Sequence, residues 1–186
     1  NLTLANGTGT ASNYSINSLT AEITGKPVTI SGSRLYDSTT SADNSILTIS
    51  SGVSGENLTL TGSGVLGAAS AGVQTITNNN TLTIADGTGL ASNYTLSGAT
   101  INVTIIPRTL NVTFTRQYDG TLSVDGGSLI PTFDSLQGGE TLSLTGTGSI
   151  LNADVGNSKV VTIGSLALAA GSGNPSNYTL NSAGMN

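Results

Sequence analysis

The chain contains no cysteine, no tryptophan and no histidine, and its lysines and arginines together number five. Each gap closes a route. Without Cys there are neither disulfides nor thiolate metal sites. Without His or Cys, a nucleophile would need activation by a lysine or a carboxylate, and Lys26 and Lys159 fall at non-equivalent places in the repeats described below. A carboxylate pair for glycoside hydrolysis has no bulky aromatic cleft to accompany it, so a non-enzyme is expected. A net charge of −5 with so few cations leaves no basic stripe for nucleic acid or an anionic membrane surface. Apolar runs such as residues 166–170 stop far short of the ~20 residues that span a bilayer, so no membrane insertion is expected. Residue 1 opens inside a strand pattern rather than a basic and then apolar leader, which suggests a window from a longer protein.

What fills the sequence instead is Thr, Ser, Asn and 25 Gly, with β-branched residues alternating with small polar ones. That pattern reads as strands separated by Gly/Asn/Ser turns. At 36% hydrophobic residues and low net charge the chain has the composition of folded domains rather than of disorder.

GTGLASNYTL at 87–96 recurs as GTGTASNYSI at 7–16 and GSGNPSNYTL at 171–180, so the Asn-Tyr pairs stand 80 and then 84 residues apart. A period near 80 is that of a small domain, whereas coils of a parallel β-helix, the rival fold, repeat at ~20 residues. Residues 1–24 align without a gap on 81–104, GENLTLTGSG at 55–64 matches GETLSLTGTG at 139–148, and Tyr36-Asp37 matches Tyr118-Asp119. The organisation expected is 1–24, the C-terminal part of a preceding repeat; 25–107, a complete repeat; and 108–186, a second repeat lacking its closing strand. About seven short strands are expected per repeat. A change of offset from 82 to 84 places a two-residue insertion, hence a loop, between residues 38–54 and their counterparts. Ile105, Ile106, Pro107 and Arg108 leave almost no linker, and Pro107 stiffens the joint.

The order of VTFTRQYDG, GETLSLTGTG, NADVGNSKVVTI, SNYTL and TINVTIIPRTL resembles the YDG and related MBG ("mostly bacterial immunoglobulin-like") repeats found in tandem in large bacterial adhesins of the filamentous-haemagglutinin type. In the first repeat Ser38 replaces the Gly of Tyr-Asp-Gly, and 69–72 replace Ala-Asp-Val-Gly at 153–156. The resemblance implies all-β, immunoglobulin-like antiparallel β-sandwich domains in tandem, forming an elongated rod. It also implies a stalk or spacer role in a secreted protein of the bacterial cell surface or extracellular matrix.

Tyr14, Tyr94 and Tyr178, each at the end of a strand pattern, are expected as core anchors whose hydroxyls bond a backbone group. Asn93 and Asn177 before them suit a left-handed turn or a local backbone bond. Tyr36 and Tyr118 are expected to plug a domain end, with Asp37 or Asp119 capping a turn. A sugar-stacking Tyr is the functional alternative. Asp37 and Asp43, Asp119 and Asp125, and the recurring Glu56 and Glu140 lack the close spacing of a calcium loop, so turn-forming Asp is preferred over a Ca²⁺ site at a domain junction. No cofactor is expected. Partners are neighbouring repeats, a strand from another copy completing the open edge, or surface or matrix polysaccharide. The alternatives to a stalk are a filament subunit completed by strand donation and a glycan-binding module.

Overall fold

The computed structural model describes residues 2–181, and it is all-β, with no α-helix among them. Strands β1 (Lys26–Leu35), β2 (Ser41–Asp43), β3 (Leu47–Ser50), β4 (Leu58–Thr61), β5 (Ser63–Leu66), β6 (Gly72–Gln74), β7 (Ile76–Asn78), β8 (Thr83–Asp86) and β9 (Tyr94–Ile106) build the first repeat. The second holds β10 (Arg108–Leu110), β11 (Val112–Thr113), β12 (Ser123–Asp125), β13 (Thr132–Phe133), β14 (Leu142–Thr145), β15 (Thr147–Ile150), β16 (Val161–Thr162), β17 (Ala167–Ala170) and β18 (Tyr178–Leu180). Nine strands per repeat replace the seven expected: Gly62 and Gly146, both with positive φ, split β4 from β5 and β14 from β15, and Thr75 and Asn111 split β6 from β7 and β10 from β11.

Alternation decides which face is buried. Val28 and Ile30 of β1, Leu58 and Leu60 of β4, and Ile101 of β9 point inward, joined by Leu82 and Tyr94. The four-stranded sheet β3-β1-β9-β6 packs by this face on β4-β8 and, through Val103 and Ile105, on β2-β5-β7. Most neighbours run antiparallel; β1 and β9, the first and last strands, run parallel from Lys26↔Tyr94 to Leu35↔Ile106. A register shift between Pro27 and Thr29 lets residues 96–99 of β9 loop out.

The second repeat repeats this plan at its beginning: β10 pairs parallel with β18 from Arg108↔Tyr178, as Lys26 does with Tyr94. It then departs. β1 runs to Leu35 because Val103–Ile106 of β9 hold its second half, whereas the counterpart, residues 114–117, is not a strand. β6, which pairs with the same half of β9, also has no counterpart among the described residues. Strand formation here is therefore tertiary: the ladder partner decides it, since Phe-Thr-Arg-Gln at 114–117 has no lower strand propensity than Gly-Ser-Arg-Leu at 32–35.

The two-residue insertion lies after the 3₁₀ turn at Gly126–Ser128 and before β13, at residues 129–131, where Ile130 is 90% exposed. Residues 2–25, read as strands around Leu2 and Leu4 and after Tyr14, contain none, and nearly all are exposed. They do keep one 3₁₀ turn, Ala11–Asn13, which also forms at Ala91–Asn93 and Pro175–Asn177. In the first two, a side chain five residues upstream, Asn6 or Asp86, accepts from the first turn N–H. The turn is thus encoded locally, and the strands around it are not.

Candidate functional site

The recurring Glu and the Tyr of the Asn-Tyr pair meet within each repeat. Glu56 lies just before β4 and Tyr94 opens β9; the Tyr94 hydroxyl donates to Glu56 Oε2. Tyr178 donates to Glu140 Oε2 at 2.5 Å and accepts from the Gln137 backbone N–H at 3.0 Å. The glycines of the repeated turn make room for the acid. A Cβ on Gly89 would fall 2.7 Å from Glu56 Oε2, and one on Gly173 would fall 3.0 Å from Glu140 Cβ.

Between the repeats this pair becomes a joint. Tyr36 of the first repeat donates to Glu140 Oε1 at 2.6 Å, so one carboxylate takes two phenols, each on its own oxygen. The two rings stand edge to face with centroids 5.3 Å apart. Around them Arg108 Nε donates to the Tyr36 carbonyl at 3.0 Å, the Tyr36 N–H to the Ile106 carbonyl at 2.9 Å, and the Ala71 N–H to Asn177 Oδ1 at 2.8 Å. Only Pro107, half-buried, separates β9 from β10. A single apolar cluster crosses this boundary, joining Tyr36, Ala42, Leu66, Val103 and Ile105 to Leu110, Leu142 and Tyr178.

Burial first, then the hydrogen bond to Glu140 and its negative charge, push the Tyr36 hydroxyl up to about 12. Burial and the same carboxylate also raise Tyr178. Both protons are held more tightly when folded than when unfolded, so they stabilise the joint fully below pH 10. That contribution falls as pH rises from about 10 through 12, where the unfolded chain has already lost the Tyr36 proton. Thermal melts in this window should show stability falling in step with tyrosinate absorbance, and Tyr36→Phe should flatten the part of the slope that Tyr36 carries.

A model of the YDG domain matches the chain twice, over residues 21–102 and 102–185. The chain belongs to the YDG domain family. No curated protein and no solved structure matches it.

The YDG signature itself forms one compact turn in both repeats. Asp37 Oδ1 accepts from the N–H and hydroxyl of Thr39 at 2.9 and 2.8 Å, and Asp119 Oδ1 from those of Thr121, both at 2.9 Å. Arg34 and Arg116, three residues ahead, pair with these carboxylates. Burial opposes ionisation of Asp37, but the Thr39 N–H and Arg34 outweigh it and hold its carboxyl below the usual range. The third position needs a left-handed backbone, with φ +75° at Gly120 and +64° at Ser38. Restoring the signature by Ser38→Gly should therefore stabilise the first YDG repeat by about 1 kcal/mol in urea unfolding.

The structure corrects several expectations. Tyr14 is 69% exposed, because residues 2–25 bring no strand and no carboxylate to it of the kind that close over Tyr94 and Tyr178. Tyr118 is equally exposed: Tyr36 plugs a domain end only because Tyr178 and Glu140 cover it, and nothing among the described residues covers Tyr118. The buried hydroxyls find carboxylates, not backbone groups, although Tyr178 also accepts from one backbone N–H. Asn93 and Asn177 sit in 3₁₀ turns without positive φ; Asn93 is exposed, and Asn177 is buried because its side chain reaches the other repeat. Ile105 lies in the joint, whereas Ile106 is 44% exposed. Among the described residues no three Asp or Glu come together as a metal site, and no helix is long and apolar enough to cross a membrane. Arg108 and Ala71 carry no signal a single sequence could reveal, but Arg34 and Glu140 do: Arg34 recurs as Arg116, three positions before the Asp, and Glu140 recurs with Glu56, one position behind a repeated Gly.

Proposed function

We propose that these YDG repeats are immunoglobulin-like β-sandwiches serving as stalk or spacer modules of a large secreted bacterial surface adhesin or matrix protein, stacked as an elongated rod that extends a distal adhesive region. The observation that carries the reading is the joint. One residue of linker, a shared apolar cluster and a doubly bonded Glu140 hold one repeat on the next. A module that had to swivel or bind through its ends would leave those groups free. The partners on this reading are neighbouring repeats, and the role is mechanical. Small-angle X-ray scattering tests the shape: the expected result is a rod whose longest dimension is close to twice that of one repeat. A flexible ensemble or a side-by-side pair would sink the reading. Protease shaving of intact cells of the source organism tests the location, the expected result being release of fragments carrying these repeats.

A further inference from the structure

With no Cys, no Trp and a single Met, the chain offers little besides its five tyrosines to an oxidant that takes one electron at a time. Two of those phenols meet in the joint. Tyr36 and Tyr178 donate to the two oxygens of Glu140 at 2.6 and 2.5 Å, and their rings stand edge to face with centroids 5.3 Å apart. Because both hydroxyls aim at one carboxylate, the rings converge at the ends that carry the carbons ortho to oxygen.

This arrangement suits radical chemistry. A phenol gives up an electron far more readily when its proton leaves in the same step, and a hydrogen-bonded carboxylate is a base placed to take it. Loss of the proton beforehand is closed at neutral pH, since burial and Glu140 push the Tyr36 hydroxyl up to about 12. Glu140 is itself half-buried, so a proton it receives can pass on to water. The phenols are 3% and 4% exposed, which shields a phenoxyl radical from solutes that would quench it. Its unpaired spin is shared between the oxygen and the ortho carbons, and a second phenol already lies against it.

We propose that the joint is an oxidative cross-linking site, at which a small one-electron oxidant of the kind generated from peroxide converts Tyr36 and Tyr178 into an ortho–ortho dityrosine. One electron leaves each phenol, and the two hydroxyl protons leave in turn through Glu140. The two phenoxyl radicals join by a bond between one Cε of each ring, and the hydrogens on those carbons move to the oxygens and restore both phenols. In all, two electrons and two protons are lost, and one peroxide takes them up to become two waters. Tyr36 directly follows the last residue of β1, where its ring can swing from edge-on to meet its neighbour. The bond closes the chain between residues 36 and 178 and seals one repeat to the next. It requires only the joint, so it stands or falls apart from the spacer reading.

Brief photo-oxidation of the 186-residue chain by ruthenium tris-bipyridine and persulfate, at low protein concentration, tests this. Tyr14→Phe and Tyr118→Phe are introduced first, because both tyrosines are exposed and would link separate chains. The expected product is a monomer with dityrosine fluorescence that migrates faster on a denaturing gel, as a looped chain does. Its digest should contain one pair of peptides joined at Tyr36 and Tyr178 and lighter by two hydrogens. Tyr36→Phe should abolish the link, and Glu140→Gln should slow it about a hundredfold by removing the base. Circular dichroism checks the fold of each variant. Slower linking in heavy water reports the proton transfer without any substitution at the joint. Oxidation that leaves Tyr36 and Tyr178 unjoined overturns the proposal, as does a link that forms equally fast in Glu140→Gln or in urea. A chain that fails to link but still scatters as a rod would leave the spacer reading standing.

Discussion

Glu140→Ala should cost the chain about 3 kcal/mol, roughly twice the loss of an ordinary charged hydrogen bond, because it strands two buried phenols at once. Tyr36 and Tyr178 are 3% and 4% exposed, and both donate a hydrogen bond to this carboxylate. Tyr178 keeps the Gln137 N–H as donor to its oxygen but has no second acceptor, and Tyr36 has none either. Urea unfolding of the variant should show the loss and should also separate into two transitions, since the repeats no longer share the group that couples them. Glu56→Ala is the internal control. It removes the acceptor of a single phenol, so a loss of about 1.5 kcal/mol within the first repeat is expected. Equal losses in the two variants would mean that the interrepeat bond contributes nothing.

Ile105→Ala should be comparably severe, at about 3 to 4 kcal/mol. Its side chain is 1% exposed and sits in the cluster made by both repeats, with Leu66 and Ala42 of the first and Leu110 and Leu142 of the second. Truncation leaves a cavity that β9 cannot collapse into, because the strand is held on both edges by β1 and β6. Hydrogen exchange should register faster opening in both repeats. Ile101→Ala, on the same strand but in the cluster confined to the first repeat, should loosen that repeat alone. If Ile105→Ala spared the second repeat, the shared core would be a contact without energetic weight.

The contrast between the two repeats shows what a single sequence can convey here. The 80-residue period, the alternation of Ile101, Val103 and Ile105, and the existence of a turn before each Tyr are local or statistical properties, and they are legible; the 3₁₀ geometry of that turn is not. Tyr14 and Tyr118 differ from the expected burial for a physical reason: each carries the same neighbours in sequence as a buried counterpart, but the carboxylate that covers the counterpart lies 38 residues away for Tyr94 and 104 for Tyr36. Tyr36 and Glu140 are 104 positions apart, so no window of sequence contains both. Ala71 is further out of reach, because its backbone N–H, not its side chain, meets Asn177. The recurrence of Glu56 and Glu140 is visible in the sequence, but the phenols bonded to them lie 38 and 104 positions away.

The parallel pairing of β1 with β9 has a mechanical meaning. Chain enters the first repeat at Lys26 and leaves at Ile106, at opposite ends of two strands locked side by side through nine paired positions. Traction applied through the neighbouring segments pulls these strands past one another lengthwise. All of the slanted bonds between them are then strained together, and none can be opened first from an end as in a hairpin peeled apart. A repeat built this way resists stretching along the very line on which it is threaded.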